Sequence, residues 1–201
     1  LLGEDVHNAT AGEIFSMPAA EVGPAERRVA KIINFGLIYG MSAFGLAKQL
    51  GVDRPTAQAY IDRYFARYPG VKDYMEQTRV QASRDGFVQT ALGQKIHLPD
   101  IKHNKVSIRK AAERAAINAP MQGTAAELIK LAMLYVQPVL AEYPESAFLT
   151  VQVHDELVFE IKESLVAAMV PKISQVMTSV FSLDIPLVVN YKVGDNWGDM
   201  Q

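Results

Sequence analysis

"LTVQVHDELVFEIK", residues 149–162, sets His154, Asp155 and Glu156 between two apolar-rich runs. Each run alternates apolar and polar residues with the two-residue period of a strand, so the stretch predicts a β-hairpin. Hairpin tips ordinarily use Asn-Gly, Asp-Gly or Gly-Gly, which tolerate the turn's backbone. An imidazole and two adjacent carboxylates at this tip point instead to a chemical use. This hairpin decides the fold class, because it is the clearest strand signal in a chain whose earlier part is helical.

Working outward, "GFVQTALGQKIHLP" predicts a second hairpin around Leu92-Gly93, and "PLVVNYKV" near the end predicts another strand. Before these, residues 5–16 predict a short helix, and Pro24 opens a longer one to about Tyr39, proline being harmless in a first turn. Ser42 can cap a helix ending at Gly51, and Asp53 one running to Tyr68. Another helix is expected over about 71–84. Residues 104–118 and 121–141 read as two helices broken near Pro120, and 163–182 as an amphipathic helix that Pro171 should kink. Helices first and strands late predict an α+β fold with an antiparallel sheet. No repeat, linker or low-complexity tract interrupts it.

The chain has 201 residues, close to half of them apolar, enough for one sizeable domain or two small ones. No unbroken apolar run of about 18 residues is present, so no membrane span is expected. The absence of cysteine excludes disulfides and thiolate chemistry and agrees with a reducing, cytoplasmic setting. A net charge of −2 argues against a uniformly basic nucleic-acid binder. The charge is nevertheless segregated: Lys102, Lys105, Arg109, Lys110 and Arg114 cluster, as do Arg27, Arg28 and Lys31, while 142–163 is acidic. The opening "LLGEDVHNATAGEIF" lacks an initiator Met, which suggests a piece of a longer protein.

In "ERRVAKIINFGLIYG", Arg27, Lys31, Phe35 and Tyr39 recur at steps of four. Each step overshoots a full turn by about 40°, so the four form one slanting stripe, with Val29, Ile33, Gly36 and Gly40 on the opposite side. Two cations followed by two rings match a nucleoside triphosphate laid along the helix: charge-assisted hydrogen bonds for phosphate, ring faces for sugar or base. An amphipathic helix with a polar edge would show the same spacing. The adjacent carboxylates of the hairpin suit a hard, oxygen-seeking cation such as Mg²⁺. Phosphoryl transfer often uses two such ions, yet no second acidic cluster in a strand-turn context is evident. A solvent-exposed polar turn is the plainer reading of that hairpin.

Together these stretches are specific. "RRVAKIINFGLIYGMS" (27–42) resembles the nucleotide-binding helix of family A DNA polymerases, the bacterial DNA polymerase I type. "QVHDELVFE" (152–160) resembles that family's second catalytic carboxylate motif, and "AAERAAINAPMQGTAAELIKLAM" (111–133) the segment between them. The likeness extends from "EDVHNATA" to "GDNWGDMQ", which resembles the family's C-terminus.

The resemblance implies a helical fingers subdomain, residues 1–86 with the nucleotide-binding helix at 24–40. Residues 87–201 would then hold the remaining fingers and part of an antiparallel-sheet palm, with the catalytic hairpin at 149–162. It implies a DNA-directed DNA polymerase of replication and repair, adding deoxynucleotides to a primer 3′-OH with two Mg²⁺ ions. The partners would be primer-template DNA and deoxynucleoside triphosphates, and the full-length parent a cytoplasmic monomer without membrane attachment. Asp155 would be the metal ligand and Glu156 an auxiliary acid. Arg27 and Lys31 would hold the triphosphate, with Lys31 assisting the leaving pyrophosphate, and His7 would be a further phosphate contact. Phe35 would pack on the incoming sugar, phenylalanine here suggesting discrimination against dideoxynucleotides, and Tyr39 would guard the templating-base site. Arg114, Asn118, Gln122 and His154 would contact the primer terminus and the minor-groove side of the nascent pair, where donors can check geometry without reading sequence. A second metal-binding aspartate, in a motif of the type D-Y-S-Q-I-E-L-R, would lie upstream of Leu1, leaving this stretch alone inactive. Two other readings stay open: a non-catalytic nucleotide- or DNA-binding fragment, and a helix-turn-helix regulator based on "LAKQLGVDRPTAQAYIDRYF" (46–65).

Overall fold

The computed structural model describes residues 5–200. Glu4 and Gln201, which end two of the motif stretches, lie outside the described residues. The described chain runs α1 (Val6–Phe15), α2 (Pro24–Ile38), α3 (Ala43–Leu50), α4 (Arg54–Arg67), α5 (Pro69–Asp85), β1 (Phe87–Gln89), β2 (Lys95–His97), α6 (Val106–Tyr135), α7 (Gln137–Ala141), β3 (Ala147–Val153), β4 (Glu156–Ile161) and α8 (Glu163–Thr178). Helices with two antiparallel hairpins make an α+β fold. By packing, the chain divides into one compact unit ending at Pro120 and another beginning at Met121.

Local signals place the first helices. The Asp5 carboxylate accepts from the backbone N–H groups of His7 and Asn8, the Ser42 hydroxyl from Gly45, and Asp53 from Thr56, so each caps the helix that follows it. Gly51 ends α3 with a φ of 69°, a conformation a Cβ disfavours. The apolar faces of α1 to α4 meet in a core of Ile14, Ile33, Leu37, Leu46, Ala57 and Tyr64. Burying side chains of this size stabilises by about 1.5–3 kcal/mol each. Burial also pushes the Tyr64 phenol up to about 12. The α3–α4 pair that resembles a helix-turn-helix thus turns Leu46, Ala47 and Ala57 into this core. A second cluster joins Ala82, Val88, Leu98, Ile101, Ala112 and Ala116, seating the β1–β2 hairpin on α5 and the start of α6.

Three expectations are corrected. The break near Pro120 does not occur: α6 runs unbroken from Val106 to Tyr135 with Pro120 inside it. An interior proline costs about 3 kcal/mol, and the long run of helix formers around it, with Ala112, Ala116 and Ile117 buried, outweighs that. α8, which contains Pro171 as expected, ends at Thr178 and not near 182. The strand expected at "PLVVNYKV" is absent: 186–193 pairs with no strand among the described residues, and Val188 and Tyr191 are exposed. A strand's hydrogen bonds are all made to a neighbour, so alternation alone cannot form one.

The membrane expectation also shifts. Val106–Ala141, α6 with α7, is long and apolar enough to cross a bilayer by length and composition. Its hydropathy accumulates from scattered alanine, leucine and isoleucine rather than from an unbroken run. A core helix of a soluble protein meets the same measure.

In the second unit, α7 and α8 bury Val136, Leu140, Met169 and Ile173 against Ala147 of β3, with Leu149, Phe159 and Ile161 packed alongside. The expected hairpin is present, its strands antiparallel from Ala147↔Ile161 to Val153↔Glu156. Its register slips between Leu149 and Val151, so Thr150 is the extra residue of a bulge, and its hydroxyl donates to the Val158 carbonyl. The bulge puts Leu149 and Val151 on opposite faces, which simple alternation would have placed together.

Candidate active site

α2 begins at Pro24 after Gly23, which has no side chain with which to cap it. One side of the helix buries Ala30, Ile33, Leu37 and Gly36; the other presents Arg27, Lys31, Phe35 and Tyr39. The expected stripe is therefore real, and its rings are 44% and 46% exposed, a notable cost for large apolar groups. The rings of Phe35 and Tyr39 stack with centroids 6.2 Å apart, and Lys31 Nζ lies 5.9 Å from the Phe35 centroid. The His7 ring, delivered by α1, lies 5.7 Å from that of Phe35. A cavity of about 380 Å³ opens at the helix start, lined by Asn8, Val22, Arg27, Arg28 and Lys31 among others.

Electrostatics in the first unit favour an anion there. Arg27 Nε donates to Asp5 Oδ2 at 2.9 Å, the only carboxylate recorded against these cations among the described residues. That hydrogen bond, ahead of the backbone donors of His7 and Asn8, holds the Asp5 carboxyl below its usual range. Burial is the main cause that lowers the His7 pKa; Asp5 opposes it, and Arg27 and Lys31 add to it. His7 is thus neutral near neutral pH, and Arg27 and Lys31 carry the positive charge. Behind it, Asn34 Nδ2 lies 2.9 Å from His7 Nδ1, and the Thr10 hydroxyl donates to Asn34 Oδ1 at 3.0 Å.

Gly40, at a φ of 73°, closes the stripe. A Cβ there would come within 2.9 Å of Arg114 Cγ, so the glycine admits Arg114 of α6 against the end of α2. Asn118, one turn further, keeps a buried Oδ1 without a hydrogen-bond partner. His7, Arg27, Lys31, Phe35, Tyr39 and Arg114 are thus gathered within the first unit. Gln122, His154, Asp155 and Glu156 belong to the second, where all four are exposed.

At the hairpin tip, His154 takes a φ of 52°, a left-handed conformation that costs a non-glycine residue about 1–3 kcal/mol. Gln152 Nε2 donates to the His154 carbonyl at 2.8 Å and steadies the turn. The two-residue connection, His154 and Asp155, leads directly into Glu156, the first residue of β4. Carboxylates are the right donors for a hard cation. Among the described residues no third His, Asp or Glu joins them in a metal-holding group, so the hairpin supplies only part of a coordination shell.

Sequence reasoning passed over Asp5, Asn8, Thr10 and Asn34. The signal for Asn34 was available: an amide on the apolar face of an amphipathic helix, beside Ile33 and one turn from Leu37 and Ile38, needs a buried partner.

The sequence matches the family described as DNA polymerase family A over residues 2–199. It is 57% identical to DNA polymerase I of Pseudomonas aeruginosa over 97% of this chain and 21% of that protein. It is 43% identical to the thermostable DNA polymerase I of Thermus aquaticus over 97% of this chain and 23% of that one. Its fold is similar, at a TM-score of 0.87 and 40% identity, to the POL domain of Pol1 from M. smegmatis solved in complex with DNA primer-template and dNTP, over 92% of this chain and 33% of that chain. The chain therefore spans about a fifth of the curated relatives it matches. This chain belongs to DNA polymerase family A.

Proposed function

We propose that the chain forms the nucleotide-binding part and one carboxylate-bearing part of a DNA-directed DNA polymerase. The observation that carries this reading is the exposed Arg27-Lys31-Phe35-Tyr39 stripe, flanked by His7 and opening beside the cavity that Arg27, Arg28 and Lys31 line. The similar M. smegmatis domain, solved with primer-template DNA and dNTP, supports it.

In this reading Arg27 and Lys31 neutralise the triphosphate through charge-assisted hydrogen bonds. Lys31 faces the oxygens on which charge develops as pyrophosphate departs, where a fixed cation lowers the barrier most. Phe35 packs on the sugar, and Tyr39 with Arg114 borders the templating pair. Asp155, assisted by Glu156, would hold Mg²⁺, which polarises the phosphoryl group and acidifies the attacking hydroxyl. Arg114, Asn118, Gln122 and His154 contact the primer end. Because the hairpin offers only part of a coordination shell, the 201-residue chain alone binds nucleotide but does not copy DNA.

Primer extension by the full-length protein carrying this segment, and by the chain alone, with Mg²⁺ and with Mn²⁺, tests this. Template-dependent synthesis by the full-length protein only is the expected result. Synthesis by the chain alone that vanishes in Asp155→Ala would show that its own carboxylates suffice. No synthesis by the full-length protein would favour the non-catalytic binding reading.

A further inference from the structure

We propose that Asn34 is a positioning residue that fixes His7 as its Nε2–H tautomer, so that the ring offers a donor to the anionic oxygens of a bound triphosphate. This rests on the reading that the stripe takes a triphosphate. Thr10 and Asn34, 1% and 4% exposed, are two of only four buried polar side chains recorded among the described residues. Buried polar groups ordinarily satisfy each other, and these form a chain with a direction. The Thr10 hydroxyl spends its proton on Asn34 Oδ1 at 3.0 Å. Tyr68 Oη, 3.4 Å from Thr10 Oγ1, is then the donor to Thr10. With its carbonyl oxygen occupied, Asn34 turns its amide N–H toward His7 Nδ1 at 2.9 Å. A ring nitrogen that faces an N–H must carry its lone pair, so the ring proton resides on Nε2.

The tautomer matters because His7 is held neutral. Burial disfavours the imidazolium, Arg27 and Lys31 oppose it further, and Asp5 is the one charge that favours it. A neutral ring presents either an N–H or a lone pair, and a lone pair aimed at phosphate oxygen is repulsive. Asn34 reaches no ligand itself; it acts through the ring. The ring's own seat is set separately, by Phe35 at 5.7 Å and by the Asp5 cap that accepts from the His7 backbone N–H. The amide is thus free to govern proton placement rather than position.

Imidazole ¹⁵N spectra of the 201-residue chain, recorded above the ordinary imidazole pKa, read the tautomer directly, and inorganic tripolyphosphate without metal is the ligand probe. The expected wild-type result is a protonated Nε2 and a bare Nδ1 at His7. Asn34→Asp keeps the shape but offers only acceptors, so the proton should move to Nδ1 and tripolyphosphate affinity fall about tenfold. Thr10→Val adds no charge, frees the amide to turn, and should give a mixture of tautomers. A wild-type ring protonated at Nδ1 would overturn the inference, as would both variants retaining the Nε2–H form. Tripolyphosphate that shifts Arg27 and Lys31 equally tightly in wild type and Asn34→Asp would overturn only the role of Asn34. Tripolyphosphate that shifts neither cation nor His7 would overturn the triphosphate reading itself.

Discussion

The stripe on α2 and the hairpin β3–β4 both hold charge up to solvent, but they differ in where their supporting groups come from. Arg27, Lys31, Phe35 and Tyr39 share one helix, and the groups that organise them, Asp5, His7 and Thr10, sit on the helix packed beside it. That arrangement is contained in two helices packed on each other. Asp155 and Glu156 instead stand on a turn whose backbone is held in a costly conformation, with no further acid among the described residues to share a cation. Binding a nucleotide can be done by a helix and its neighbour. Holding a cation for phosphoryl transfer needs oxygens that converge from separate places.

If the hairpin is the chemical half, Asp155→Ala in the full-length protein should give the largest effect. Loss of a metal ligand removes several kcal/mol of transition-state stabilisation, so single-turnover incorporation should fall by at least about a thousandfold. Primer-template affinity should stay within a few fold, because phosphate contacts elsewhere dominate it. Near-normal incorporation would erase the contrast between the two regions. On the stripe the expected loss is smaller and divided. Lys31→Ala should slow the chemical step by about a hundredfold, as removal of one donor to developing charge does. Arg27→Ala should mainly weaken nucleotide Kd by about tenfold. Equal behaviour of the two variants would show that the stripe holds phosphate without distinguishing the leaving group.

A third effect sharpens the structural side of the comparison. Leu46→Ala, in the core under the stripe, should cost about 2–5 kcal/mol of stability, since its fully buried side chain leaves a cavity between α3 and its neighbours. Denaturant unfolding of the first unit would measure it. Retained nucleotide Kd at temperatures where the variant is still folded would show that the core supports the stripe without tuning it.

The same contrast explains what the sequence disclosed. The starts of α3 and α4 were legible because Ser42 and Asp53 act on backbone groups three residues away. The stripe was legible because a step of four needs no knowledge of the rest of the chain. The hairpin was visible by alternation, but the Thr150 bulge was not, since an unpaired residue is defined by its partner strand. Pro120 misled for a related reason: local propensity gave it full weight, whereas packing carried the helix through. Residues 186–193 show the limit most clearly, an alternating segment with no strand beside it. Asn34 was missed because its meaning lies in Thr10 and His7, 24 and 27 residues away.

The smallest effect expected is at Asp5. Its carboxylate holds Arg27 at 2.9 Å and would face an incoming triphosphate as a like charge. Asparagine can still cap α1, so Asp5→Asn should leave the helix start intact while releasing the guanidinium. Exposed ion pairs contribute little, so tripolyphosphate affinity should rise by only about two- to threefold. The change has a pH signature at His7, which faces Asp5, Arg27 and Lys31. Its folded pKa already lies below the ordinary 6.5 because of burial, so its contribution to stability is full above that value and is lost as pH falls through the folded pKa. Asp5 is the one charge that raises that pKa. Removing it should deepen the depression, so between the ordinary imidazole pKa and the carboxylate range the variant should lose more stability than wild type, while matching it above neutrality. At lower pH only wild type loses the contribution of the Asp5 carboxylate. Urea unfolding at a series of pH values would show this, and a His7 titration that shifts upward in Asp5→Asn would mean that Arg27 and Lys31 reorganise to shield the ring once the carboxylate is gone.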